Sequence, residues 1–419
     1  MKKVLVGVTW TAWFVWLLAA GYHGYQYALR LAAEIMRPQL SETYQLTSAG
    51  TAFLAGIFYF GFCLFSLAAG AGMDRFGARA IITIGAVMAG TGALLFGSGN
   101  LGAAGIGRLL QGAGGVVALI GAIYIVSKLF PQSRTATFIG VTQMFGMIGG
   151  WSGQAIAGSM IVQGLPWHKF WMGMGLAGLF IAVTLFVFLP VKRSMVDLHN
   201  PVHKSTDGLG IVFRNPQTIL CGLIASLLFI PTTTLDMIWG TPLLQGMHVF
   251  EYGDAVIHSS AFPLGWILGC PLWGLLSDYI GRRKPLIMIG SCVLLICLAW
   301  ILYGRPGLFP ADLPGLIAGF ASGASMLTYS VIRETNPPEW TGTATGVMNF
   351  LNITFVAIAV PVLGLAMRIV SENTATPIGH EQRAAVLPLI GVILAIVLTF
   401  GLKETKHPNR VPQREKEAA

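Results

Sequence analysis

Charge is what this sequence has least of. Of its 419 residues only 10% are Asp, Glu, Lys or Arg, against roughly 25% in a soluble domain. So few charges cannot keep a soluble surface of this size wet, and they also exclude a disordered chain. Cysteine is scarce too. The five residues, Cys63, Cys221, Cys270, Cys292 and Cys297, all fall in apolar stretches without a CxxC pair. They read as small buried hydrophobes and exclude a disulfide framework or a thiolate zinc site. Strand-length alternation is missing, which argues against a β-barrel. There is no Gly-x-x-x-x-Gly-Lys-Ser/Thr loop, no metal-ligand spacing and no nucleophile–base arrangement. No cofactor, no metal and no enzymatic activity are expected.

What the chain has is apolar length. Hydrophobic residues make up 54%, mean hydropathy is +0.70 and glycine numbers 53. A spanning helix needs about 20 mostly apolar residues. Twelve such stretches are legible, near Val4–Met36, Thr51–Met73, Ala80–Gly97, Ala103–Val126, Phe138–Val162, Phe170–Pro190, Thr218–Leu244, Ala255–Leu276, Pro285–Tyr303, Leu313–Ile332, Gly342–Ala366 and Ala384–Leu402. The expected fold is therefore an all-α membrane protein with twelve transmembrane helices. Lys2-Lys3, an apolar run and Ala19-Ala20-Gly21 imitate a secretory signal. The apolar run continues past Tyr22, which favours a retained first span.

The basic residues then acquire a meaning. Nineteen of the 26 Lys and Arg residues fall on one side of a twelve-span layout, which places both termini in the cytoplasm by the positive-inside bias. The net charge of +9 is topogenic and gives no reason to expect nucleic acid. Partners would be the bilayer and a small molecule.

The chain also repeats itself. Residues 191–216 form the longest polar stretch between spans, with six spans on each side. The expected organisation is a bundle over 1–190, a cytoplasmic linker over 191–216, a second bundle over 217–404 and a tail over 405–419. Gly70, Asp74, Arg75, Gly77 and Arg79 follow the second span. Gly274, Asp278, Gly281, Arg282 and Arg283 follow the eighth, with Gly, Asp, Gly and Arg recurring at an offset of 204 residues. A weaker echo links Thr135-Ala-Thr137 to Thr343-Ala-Thr345. Repeated halves enclosing a midplane site are how secondary transporters are built. Gly77 and Gly281 would permit a reversal with φ > 0, and Asp74 and Asp278 could receive hydrogen bonds from a helix N-terminus.

These residues resemble motif A of the major facilitator superfamily, Gly-x-x-x-Asp-Arg-x-Gly-x-Arg, in both copies. Arg108-Leu-Leu-Gln111-Gly112 resembles the family's Arg-x-x-x-Gly motif. The resemblance covers the whole chain. It implies two pseudo-symmetric six-helix bundles, alternating access and a cytoplasmic latch at both copies of motif A. Phe145-Gly146 stands where the drug antiporters of the family carry Gly-Pro, which counts against that branch.

Ionisable residues inside spans are costly and default to function. His23, Tyr27, Arg30 and Glu34 are spaced 4, 3 and 4 and share one helical face. Tyr27-x-x-Arg30 resembles the anion:cation symporter branch, where the arginine binds a carboxylate or phosphate. That branch often places an acidic residue before the arginine; here it is Leu29. Tyr25-Gln-Tyr27-Ala-Leu-Arg30 and the block Glu334–Asn349 also resemble nutrient importers of intracellular bacteria. The expected substrate-binding set is Arg30, Tyr27, His23, Arg108, Tyr124, Gln143 and Asn349. Asp236, beside Pro231 in the seventh span, and Glu34 are the expected proton-coupling carboxylates. Together these imply a secondary transporter of a small carboxylate-bearing metabolite in a bacterial inner membrane, coupled to protons and acting as a monomer. Anion exchange without protons, export of a siderophore or drug, and a sensor that binds without transport are the alternatives.

Overall fold

The computed structural model describes residues 10–190, 205–233, 261–303, 312–372 and 386–405. Among them every regular element is helical and no strand occurs. The helices are α1 (Trp10–Ile35), α2 (Arg37–Tyr44), α3 (Ser48–Phe76), α4 (Ala78–Phe96), α5 (Leu101–Leu129), α6 (Thr135–Val162), α7 (Trp167–Phe188), α8 (Ser205–Arg214), α9 (Pro216–Pro231), α10 (Ala261–Ile280), α11 (Lys284–Tyr303), α12 (Asp312–Ser322), α13 (Leu327–Thr335), α14 (Thr341–Glu372) and α15 (Val386–Phe400). Among the described residues seven helical stretches are long and apolar enough to cross a membrane. These are α3, α4, α5, α7, α11, the α12–α13 run and the stretch Pro338–Leu363.

The ends of these helices follow from local chemistry. Thr47 and Asn100 cap α3 and α5, accepting from the backbone N–H groups of Gly50 at 3.2 Å and Ala103 at 2.9 Å. Such caps satisfy donors that a helix start would otherwise leave orphaned. Gly77 separates α3 from α4 at φ 84°, and Gly281 separates α10 from α11 at φ 73°. Both lie in the left-handed region where a side chain is strained. Three details differ from the sequence expectation. The polar linker contains the amphipathic helix α8, bent by 72° from α9. The tenth span is interrupted by a 3₁₀ turn at Gly323–Met326. The first span is followed by the separate helix α2, which begins with proline at an early position.

Two compact units emerge. One comprises Met1–Phe130, Thr142–Thr218 and Asn336–Ile353; the other comprises Pro131–Val141, Ile219–Thr335 and Thr354–Ala419. Each includes a short segment from the other half of the sequence. In the first unit α5 is buried along most of its length. Its small residues allow this: a Cβ on Gly112 would run into the carbonyl of Phe58, and one on Gly114 into that of Gly85. Backbones this close gain dispersion contacts that bulkier residues would prevent. In the second unit α10 packs on α12, and the Trp266 and Trp273 indoles donate to Thr232 Oγ1 at 2.9 Å and Phe320 O at 2.8 Å.

Candidate functional site

The polar face of α1 does assemble. Gln143 on α6 lies between two of its residues, with Oε1 3.2 Å from His23 Nε2 and Nε2 donating to Tyr27 Oη at 2.9 Å. Gly24, Gly149 and Gly153 bring α1 and α6 close enough for this bridge, since a Cβ at any of them would strike the opposite backbone. Arg30 follows one turn on. Its Nε donates to Tyr59 Oη on α3 at 3.0 Å. Its guanidinium carbon lies 4.9 Å from the Tyr59 ring centre and 5.4 Å from that of Tyr27.

Arg30 is only 3% exposed. Among the described residues, Tyr59 is the hydrogen-bond partner of Nε, and neither terminal amino group has a partner. A buried cation costs several kcal/mol unless an opposite charge and hydrogen bonds compensate it. Two aromatic faces supply only part of that, about 0.5–2 kcal/mol each. The terminal donors form the fork that matches a carboxylate. The arrangement is suited to holding an anion against aromatic walls.

The other expected site residues fall elsewhere. Arg108 is fully buried and its terminal nitrogens are engaged, while its Nε has no partner among the described residues. Nη1 reaches Leu29 O at 3.1 Å and Gln111 Oε1 at 2.7 Å, and Nη2 reaches Ala55 O at 3.1 Å. It ties α5 to α1 and α3, so its geometry is that of a helix tether and not of a second anion contact. Tyr124 lies 16 residues further along α5, about 24 Å away at helical rise, beneath the Lys128 ammonium. Asn349 donates to Ser66 Oγ at 3.2 Å at the crossing of α14 with α3. Glu34 pairs with Arg37 in a partly exposed position. Asp236 lies outside the described residues.

Tyr59 was missed by sequence reading. It stands on an almost wholly apolar helix, and its hydroxyl was the only available signal.

Both copies of motif A cap a helix. Asp74 accepts from Gly342 N at 2.9 Å, Thr343 N at 2.7 Å and Thr343 Oγ1 at 2.7 Å, at the start of α14. Asp278 accepts from Thr137 N and Thr137 Oγ1, both at 2.8 Å, at the start of α6. Gly70 and Gly274 allow these approaches, since a Cβ on either would strike the carbonyl of Gly342 or Ala136. The sequence echo is thus corrected by two residues: Thr137 corresponds to Thr343 and not to Thr345, because those are the threonines the aspartates bind.

The arginines diverge. Arg283 Nη1 donates to Asp278 Oδ1 at 2.9 Å and Ser277 Oγ at 2.7 Å, and Nη2 to Glu334 at 3.1 Å. Burial opposes its charge, yet Glu334 and Asp278 outweigh it and raise the guanidinium pKa further. Arg79 of the first copy stacks on Phe186 at 4.5 Å. Arg75 lies over Phe76 at 5.1 Å. Gly77 and Gly281 make the reversals already described.

The sequence matches the Major Facilitator Superfamily over residues 18–361. The chain belongs to that superfamily. It is accordingly a multi-pass membrane transporter and not an enzyme. Among curated relatives, it is 26% identical to a hexuronate transporter of Bacillus subtilis strain 168, over 78% of this chain and 81% of that one. It is 23% identical to the probable galactarate/D-glucarate transporter GudP of the same organism, over 98% and 99%. Among solved structures, it superposes on FucP in the outward conformation with a TM-score of 0.75 at 14% identity, over 93% of this chain and 99% of FucP. The proton:xylose symporter XylE gives 0.74 at 15% identity, over 94% and 96%. These two share the fold.

Proposed function

We propose that this member of the superfamily carries a small carboxylate-bearing metabolite, of the hydroxylated sugar-acid kind, across the cytoplasmic membrane of a bacterium in symport with protons. Alternating access would be provided by two six-helix bundles over 1–190 and 217–404, with both termini cytoplasmic. The observation that carries the substrate class is Arg30, a buried guanidinium with its terminal donors unengaged among the described residues. Tyr27 and Tyr59 flank it and offer ring faces and hydroxyls to a hydroxylated ligand. The curated relatives named for hexuronate and for galactarate/D-glucarate support the same class. Asp74 and Asp278 serve as gating residues by holding the starts of α14 and α6, contacts that a moving helix must make and break.

Uptake into proteoliposomes tests this reading, with D-glucuronate and D-glucarate as probes. Arg30→Ala should lower kcat/KM by about 100-fold, the scale for removing one partner of a buried charged contact. Arg30→Lys should recover part of it, since it keeps the charge but loses the planar fork. Undiminished uptake by Arg30→Ala would remove the anion reading. Anion exchange is the second reading, favoured by Leu29 where an acidic residue often stands. Acceleration by substrate on the far side, with no response to a pH gradient, would establish it.

A further inference from the structure

The imidazole of His23 is 1% exposed and lies under α6. Its Nε2 is held by Gln143 Oε1, while Nδ1 is buried and has no hydrogen-bond partner among the described residues. The Gln143 amide has its nitrogen committed to Tyr27 Oη, so its oxygen faces the ring. That orientation selects the neutral tautomer with the proton on Nε2 and a bare lone pair on Nδ1. A buried lone pair without a donor is an uncommon and costly arrangement. Here it sits at the end of a chain running His23, Gln143, Tyr27, Arg30. The His23 ring also meets the Tyr27 ring edge-on at 5.1 Å.

The charged surroundings are simple. On α1, Arg30 and Tyr27 share the face of His23, while Tyr22 turns away to donate to Gly114 O on α5. The covering helix α6 contains no ionisable side chain along its whole length. Tyr59 of α3 and Arg108 of α5 stand at the level of Arg30. Glu34, one turn beyond Arg30, pairs with Arg37 and also attracts the charges of Arg30 and Arg108. Among the described residues His23 is the imidazole linked to Arg30, through Gln143 and Tyr27.

We infer that His23 accepts the co-transported proton on Nδ1, and that it does so only while an anion occupies Arg30. This rests on the proposed anion symport and assigns its coupling site. With no anion on Arg30, a second cation two turns away is disfavoured by like-charge repulsion in a medium of low dielectric. A bound carboxylate cancels the Arg30 charge and admits the proton. Release of either then favours release of the other, which is reciprocal linkage between two ligands. The proton adds to the Nδ1 lone pair and leaves from it; no bond of the substrate changes.

The test uses the full-length protein and D-glucuronate. In proteoliposomes wild type should accumulate D-glucuronate in response to an imposed pH gradient, and His23→Gln should lose that response. In detergent, a pH-sensitive dye should report proton uptake on adding D-glucuronate to wild type and to Asp236→Asn, and none with His23→Gln. Gradient-driven accumulation by His23→Gln at the wild-type level would overturn the assignment. So would dye signals lost with Asp236→Asn and kept with His23→Gln. If wild type ignores the gradient, proton symport itself fails and the assignment falls with it; if Arg30→Ala takes up D-glucuronate undiminished, the anion site fails instead.

Discussion

Arg30 on α1 and Arg108 on α5 show how the same buried side chain can meet two different sets of partners. Both guanidinium groups are buried. Arg108 directs its terminal nitrogens at two backbone carbonyls and an amide oxygen, so its charge is spread over permanent dipoles. Arg30 has one phenol and two ring faces. Replacing Arg108 by Met should therefore cost stability, about 1–3 kcal/mol, for buried carbonyl and amide oxygens left without their donor. It should leave the concentration dependence of D-glucuronate stabilisation unchanged. Thermal unfolding in detergent with increasing D-glucuronate measures both quantities. A lost ligand response at an unchanged melting temperature would return Arg108 to the ligand site. Sequence alone could not separate the two arginines, because both appear as lone cations in apolar helices. The difference lies in which carbonyls and hydroxyls the neighbouring helices present. His23, Tyr27 and Gln143 were legible singly; their bridge needed the glycine-lined approach of α1 to α6. Tyr59 was not legible at all.

At the scale of the element, helix starts are the recurring control points. Asp74 and Asp278 do for α14 and α6 what Glu404 does for α11, where it accepts from Arg283 N at 2.8 Å. The two aspartate caps are chemically unequal. Asp278 also anchors Arg283, which reaches on to Glu334, whereas Arg79 stacks on a phenyl ring. Thr343→Val keeps the backbone donor and loses the hydroxyl, so it should cost about 1 kcal/mol, as a single hydrogen bond does. Glu404→Ala should cost about 1 kcal/mol as a lost cap. Melting temperatures of the two variants check these values, and a loss of several kcal/mol for either would mean that more than one bond was broken. The reversals at Gly77 and Gly281 were readable from the doubled motif, because only glycine tolerates that backbone. The sequence echo aligns Thr137 with Thr345, whereas the aspartates bind Thr137 and Thr343. Thr343 and Thr345 are equally plausible by composition, and only the approach of Gly70 to Gly342 decides between them. Helix α8 was hidden in a stretch whose polarity resembled a linker.

For the whole molecule, scarcity of charge has a constructive side. In a chain that is 10% charged, the few cations inside helices become identifiable. Family membership and the helical fold were both legible from the doubled motif and the apolar runs. The substrate class proposed for the molecule rests on one arginine. Its most direct test is calorimetric binding of D-glucuronate and D-glucose to wild type and Arg30→Ala. The two ligands share a ring and differ in carrying a carboxylate or a hydroxymethyl group. An anion contact at Arg30 predicts that wild type binds D-glucuronate at least about 100-fold more tightly than D-glucose, and that Arg30→Ala erases the difference. Equal binding of D-glucuronate by wild type and Arg30→Ala would contradict it.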